Sequence, residues 1–117
     1  MLEATRDVMR LAGGRSREDL RTDMPMRRAM VNAIQEIGEA AAKVSAVGRD
    51  RMPGVPWALV VGMRNRLVHG YDEIDIDVVW KVATEEAPAL MTMLEAAFAT
   101  WPLPEPPGDR AGGSGAG

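Results

Sequence analysis

Residues 25–48 read PMRRAMVNAIQEIGEAAAKVSAVG, and this stretch decides the fold. Apolar side chains recur in it at every third or fourth position, which places them on one face of an α-helix. Pro25 suits the first turn of that helix, and Gly48 is a plausible end. We therefore predict one long amphipathic helix here. Its apolar stripe comprises Met26, Met30, Ile34, Ile37, Ala41 and Val44.

The segment before this helix also has helical features. Residues 2–11 form a short amphipathic stretch, and Gly13 and Gly14 follow as a common helix stop. Ser16 with Asp19 three positions later resembles a capping box, which predicts one or two further helical turns.

The segment after it contains more helices. Residues 53–56, Pro-Gly-Val-Pro, form a turn, and the next helix is expected to reach about His69 with Gly70 as its C-cap. Asp75 or Asp77 can cap the following helix. Pro88 should break or kink that helix before the last apolar stripe, which comprises Leu90, Leu94, Ala97 and Trp101.

The fold class follows from this succession of helical segments. No segment alternates with a period of two for long enough to predict a strand. We predict an all-α bundle of four to five helices over residues 1–101. Residues 102–117 contain four Pro and five Gly, and we expect a disordered tail there. The predicted core comprises Met30, Ile34, Ile37, Val60, Leu67, Val79, Leu90 and Leu94.

The composition excludes several classes of protein. The 117 residues include no Cys and one His, which excludes disulfide frameworks, thiolate metal sites and cysteine nucleophiles. The charge-free stretch at residues 52–63 is far shorter than the ~20 residues that a membrane span needs. No basic-then-apolar leader opens the chain and it has no cysteine, so we expect a cytoplasmic protein. We also expect it to need no cofactor.

The charge is uneven along the chain, although its net value is −3. Residues 1–72 hold 12 Lys and Arg against 9 Asp and Glu, whereas residues 73–117 hold 2 against 8. Nearly all of the cations are arginines, which suit two-point phosphate contacts better than lysines do.

The single histidine, His69, lies in the segment MRNRLVHGY at residues 63–71. On a helix with about 100° per residue, His69 falls about 180° from Val60, and Asn65 shares its side. The histidine is thus predicted to point away from the chain's own core. The core face of the same helix would comprise Val60, Met63, Leu67 and Tyr71.

The side chains around His69 allow two interpretations. Asn65, one turn earlier, can hydrogen-bond the imidazole and set its tautomer, and the long side chain of Arg64 can reach around the helix. Alternatively, His69 is a C-terminal cap that interacts with the helix dipole, and Arg64 and Arg66 are ordinary solvated charges.

Small residues on the His69 face predict a contact surface. Ala58 and Gly62 share that face, and glycine inside a helix costs up to ~1 kcal/mol relative to alanine. A patch of small side chains lets a second helix come near. We therefore expect a two-fold dimer through the face formed by Ala58, Gly62, Asn65 and His69.

The pattern Arg64-x4-His69-x-Tyr71 resembles the signature of the HepT-like toxins, within the HEPN superfamily of helical RNases. The resemblance covers roughly residues 2–98. Besides the signature, it rests on the segments at residues 37–41, 56–57 with 62–65, 75–80 and 85–90.

The resemblance implies a metal-independent endoribonuclease that cleaves RNA in a cleft between two protomers. His69, which titrates near neutral pH, would be the general acid and base, and Arg64 would stabilise the charge on phosphate. Asn65 would orient the imidazole, and Arg66 would contact phosphate or RNA. A dimer would supply the second histidine that one chain lacks.

The resemblance also implies a partner, a minimal nucleotidyltransferase antitoxin that attaches AMP to the tyrosine matching Tyr71. Alternatively, Tyr71 is a core residue that anchors the turn.

A non-enzymatic interpretation also stays open, in which the chain is a helical dimer that binds nucleotide or scaffolds a nucleotidyltransferase. The overall acidity favours that alternative modestly, because RNA binding prefers a basic surface.

Overall fold

The structure is a computed structural model, and it describes residues 1–69 and 73–99. Gly70, Tyr71 and the predicted tail at residues 102–117 lie outside the described residues. In chain order the α-helices are α1 (Leu2–Ala12), α2 (Arg17–Thr22), α3 (Met24–Ala42), α4 (Ala46–Arg51), α5 (Trp57–Val61), α6 (Met63–Arg66), α7 (Ile76–Lys81) and α8 (Ala87–Ala99).

The all-α class is confirmed, with four main helical rods. These are α1, α3, the pair α5 and α6, and a C-terminal rod in which a π-helical turn, Val82–Glu86, joins α7 to α8. Helix α3 packs against α1, α2, α5 and α6, and α1 also packs against α8. All eight predicted core residues are buried, as expected. Trp101, the last member of the final predicted stripe, lies outside the described residues.

Helix α3 begins as predicted but ends earlier. The Asp23 carboxylate accepts a hydrogen bond of 3.0 Å from the Met26 backbone N–H, and Pro25 lies in the first turn. The expected continuation to Gly48 is wrong. The Ser45 hydroxyl accepts a 3.0 Å bond from the Gly48 N–H and so starts the separate helix α4.

Gly38 brings α5 close to α3. A Cβ atom built at Gly38 would lie 3.3 Å from the Val60 carbonyl oxygen and 3.4 Å from that of Val61. The backbones of the two helices therefore approach more closely than most side chains would allow. At the other end of α5, the Trp57 indole N–H donates to the Met52 carbonyl at 3.1 Å, which fixes where the helix starts.

The predicted helix from the 53–56 turn to His69 is interrupted twice. It breaks at Gly62, between α5 and α6, and α6 ends at Arg66. The next two residues form a short strand, β1 (Val68–His69), antiparallel to β2 (Glu73–Ile74). The expectation that the helix reaches His69 is therefore wrong.

The C-terminal rod is continuous through Pro88. Asp75 caps α7 as predicted, because its carboxylate accepts from the Val78 N–H at 3.2 Å. Pro88 lies in the first turn of α8 and does not break the rod. Proline has no backbone N–H, so Pro88 cannot donate a hydrogen bond to the Thr84 carbonyl. The wider π-helical turn directly before α8 tolerates the loss of this bond.

Candidate active site

The segment that carries the predicted site begins on α6 as the sequence indicates. Met63 and Leu67 are buried, at 2% and 0% exposure, and face the core. Arg64 and Asn65 are exposed. Within the described part of the chain, no ion pair is found for Arg64.

The backbone of His69 is held by strand pairing instead of helical bonds. His69 pairs with Glu73, Val68 pairs with Ile74, and the Asp75 N–H donates to the Leu67 carbonyl at 2.7 Å. Because α6 ends before this hairpin, the angular argument that placed His69 on one helix face with Asn65 is wrong. The contact between Asn65 and His69 stays a prediction.

Tyr71 follows His69 by two residues in the sequence, before β2 begins at Glu73. The structure does not describe Tyr71 itself. Its modification and its anchoring role both stay predictions.

Arg66 has a carboxylate partner that the sequence did not predict. Its Nη1 and Nη2 atoms donate to the two carboxylate oxygens of Glu86, both at 2.7 Å. The hydrogen bonds from Arg66 hold the pKa of Glu86 below its usual range, and the charge of Lys81 acts in the same direction. The Glu86 carboxylate in turn raises the pKa of Arg66.

This ion pair changes what Arg66 can do. Two of the five guanidinium donors point to Glu86, which leaves the Nε edge for another acceptor. Glu86 is the last residue of the π-helical turn, directly before α8. A pair separated by 20 residues has no signal in local spacing, so sequence periodicity could not find it.

Two features are absent from the described residues, 1–69 and 73–99. No three His, Asp or Glu side chains among them form a group that could hold a metal ion. None of the helices there is long and apolar enough to cross a membrane.

Comparison with known proteins identifies the family. The model of the family "Ribonuclease HepT-like" matches residues 1–97, which include α6, both strands and all but the last two residues of α8. The chain belongs to the HepT-like ribonuclease family. The predicted family and its enzyme class, a HEPN-type ribonuclease, are thereby confirmed.

Curated relatives of this HepT-like ribonuclease carry consistent names. A candidate RNase of Methanocaldococcus jannaschii is 32% identical over 95 residues, which are 81% of this chain and 87% of the relative. A probable ribonuclease HepT of Thermococcus cleftensis is 32% identical over 78 residues, 67% of this chain and 71% of the relative. A candidate RNase of Caldanaerobacter subterraneus subsp. tengcongensis is 34% identical over 77 residues, 66% and 69% of the two chains. No solved structure matches the chain.

Proposed function

We propose that this HepT-like ribonuclease is a metal-independent endoribonuclease toxin, which cuts RNA in the cytoplasm at a cleft between two copies of the chain. One observation carries the proposal. Arg64 is exposed on α6, without an ion pair among the described residues, and the chain delivers His69 five residues later in a paired strand. The family match covers this whole segment.

The proposed reaction needs one base, one acid and one fixed cation. His69 of one protomer takes the proton from a ribose 2′-hydroxyl, and the 2′-oxygen forms a bond to the adjacent phosphorus. Arg64 stabilises the negative charge that gathers on the phosphorane. The bond from phosphorus to the 5′-oxygen breaks, and His69 of the second protomer protonates that oxygen. The products are a 2′,3′-cyclic phosphate and a free 5′-hydroxyl.

The second protomer is proposed to bind at the junction of α5 and α6, where Ala58, Gly62 and Asn65 lie. His69, which the sequence placed on the same helix face, follows α6 in a strand and is no longer part of that face. Exposure of Ala58 and Asn65 supports this surface, because neither side chain is used by the chain's own core. Gly62 adds no side chain at the junction of α5 and α6, so a neighbouring helix can approach there.

A nucleotidyltransferase antitoxin is the proposed regulator. It would transfer AMP from ATP to the hydroxyl of Tyr71, which follows His69 by two residues in the sequence, and pyrophosphate would leave. The adduct would place a phosphate and a nucleoside beside the groups that bind the RNA phosphate, and would block the site by charge and bulk. Co-expression with the nucleotidyltransferase and peptide mass spectrometry would test for an added AMP on Tyr71.

A cleavage assay on labelled RNA in EDTA tests the enzymatic proposal. We expect wild-type protein to cut, and Arg64→Ala and His69→Ala to lose cutting. Arg6→Ala on α1, which removes another exposed arginine outside the motif, should cut like wild type. If wild type binds nucleotide but cuts no RNA, the non-catalytic scaffold described above is the better account.

A further inference from the structure

A cavity lies between the α5 and α6 rod and the C-terminal rod, next to the candidate site. Its volume is about 430 Å³, within the range of pockets that hold small ligands. Most of its wall is apolar. The apolar lining comprises Pro56, Leu59, Val60, Met63, Ala89, Leu90 and Met93.

Three charged side chains complete the lining, namely Arg66, Lys81 and Glu86. Two cations against one carboxylate leave one positive charge in excess. In a chain with a net charge of −3, this local balance favours an anionic ligand over a cationic one.

The Glu86 carboxylate fixes the plane of the Arg66 guanidinium. Two hydrogen bonds of 2.7 Å, donated by the guanidinium to one carboxylate, restrain this planar group in both direction and tilt. A guanidinium held in this way is a preoriented platform on which an aromatic ring can stack. Apolar side chains of the cavity can contact the edge and the other face of such a ring. One of them is Leu59, which is 59% exposed.

The cavity is adjacent to the motif but does not coincide with it. Arg66 follows Arg64 by two residues, so the two side chains leave α6 about 200° apart. The two guanidinium groups therefore extend from different faces of α6. A strand whose scissile phosphate lies at Arg64 would present a different nucleotide to the cavity.

We propose that this cavity is a nucleobase subsite for the RNA strand, flanking the position of cleavage. The base stacks on the Arg66 plane against the apolar wall, and Lys81 pairs with a phosphate of the same nucleotide. This inference rests on the proposed ribonuclease function. The excess positive charge and the fixed guanidinium select a nucleotide over an apolar protein segment as the occupant.

A cavity-filling variant tests the subsite without altering the motif. Ala89 lines the cavity and is exposed on α8, so Ala89→Phe can block the space without disturbing the core. The matched control is Ala99→Phe, the same change at an exposed position of the same helix. RNA made fully with 2′-O-methyl ribose serves as ligand, because it has no 2′-hydroxyl to attack and its binding can be measured without cleavage.

The dissociation constant of that RNA should rise roughly tenfold in Ala89→Phe and stay unchanged in Ala99→Phe, as expected for the loss of one stacked base. We would also compare a series of RNAs that each carry one abasic site at a different position. At one position the missing base should weaken binding to the wild type by a similar factor. In Ala89→Phe the cavity is already filled, so this variant should bind the same abasic RNA as tightly as it binds intact RNA.

Two results would overturn the subsite. One is equal RNA binding by wild type and Ala89→Phe, with no position sensitive to base removal. The other is a change of sedimentation in Ala89→Phe, which would assign the cavity to contact with a second copy of the chain. Because binding is measured separately from cleavage, either result can occur while the wild type still cuts RNA. Failure of the ribonuclease proposal would be seen separately, in the EDTA assay.

Discussion

Arg66 on α6 and Glu86 at the end of the π-helical turn are joined by two hydrogen bonds of 2.7 Å. The pair is about two-thirds buried, with 33% and 27% of the two side chains exposed. It ties the helix that carries Arg64 to the C-terminal rod across 20 residues of sequence. The position of the candidate site therefore depends on a contact between distant parts of the chain.

Glu86→Gln should lower the free energy of unfolding at pH 7 by about 1 kcal/mol, since partial exposure weakens a charge pair through solvent screening. Denaturant titration measures this loss. Glu85→Gln, at the exposed neighbouring position, is the matched control and should stay within about 0.5 kcal/mol of wild type.

The same pair predicts a pH dependence. Because folding lowers the pKa of Glu86, the stabilisation is complete above the carboxyl's ordinary pKa of about 4.3 and is lost as the pH falls through the lowered value. The difference in unfolding free energy between wild type and Glu86→Gln should shrink between pH 7 and pH 3. A difference that stays constant over that range would contradict the assigned charge state.

Gly38→Leu should destabilise the protein by about 1–3 kcal/mol, the usual cost of overpacking. The added side chain would meet the carbonyl oxygens of Val60 and Val61, which belong to the backbone of α5 and cannot rotate away. Gly54→Leu is the control, because nothing lies within 4 Å of a Cβ atom there. Thermal unfolding compares the two variants, and equal melting temperatures would show that α5 does not need the small residue.

The features that the sequence predicted correctly are local ones. The stripe in α3 and the caps at Ser16 and Asp75 depend on residues within one or two helical turns, so spacing and side-chain type determine them. The end of α3 was mispredicted because the Ser45 cap competes with a stripe that continues to Val44. The apolar spacing there predicts a continued helix, whereas Ser45 favours the start of a new one, and in the structure a new helix starts after Ser45.

The errors at the candidate site have a different origin. Residues 68–69 leave the helix to pair with residues 73–74, and that bonding depends on the chain turning back on itself. Two-residue strands are too short to produce an alternating pattern. The partner of Arg66 is equally invisible, because ion pairs between separate rods are set by tertiary packing.

Ala58→Leu should weaken association of two chains, because the larger side chain would separate the helices at the proposed dimer face. Ala58 is exposed, so the monomer should keep its melting temperature. Gly62→Leu should act in the same direction, although it also changes the junction of α5 and α6. Sedimentation at micromolar concentration measures the effect, with the exposed Ala42→Leu on α3 as control. A wild-type monomer under these conditions would contradict the dimer.

Arg64→Lys should not restore cleavage, because an ammonium is a point charge and cannot bind two phosphate oxygens with a planar fork. We expect its rate constant for cleavage under saturating RNA to lie close to that of Arg64→Ala. Circular dichroism would show that both variants stay helical, as the exposure of Arg64 predicts. Wild-type rates in the lysine variant would show that charge alone suffices at this position.

RNA with a single 2′-deoxy nucleotide at the cut site should resist cleavage, because the attacking group is the 2′-hydroxyl of that nucleotide. Wild-type protein should leave a 2′,3′-cyclic phosphate on the matched all-ribose RNA, which mass spectrometry distinguishes by one water from a linear phosphate. His69→Ala should lower the rate by about 10²–10⁴-fold, the usual contribution of a general acid or base. Cleavage of the deoxy substrate, or loss of activity in EDTA, would refute this mechanism even for a protein that cuts RNA.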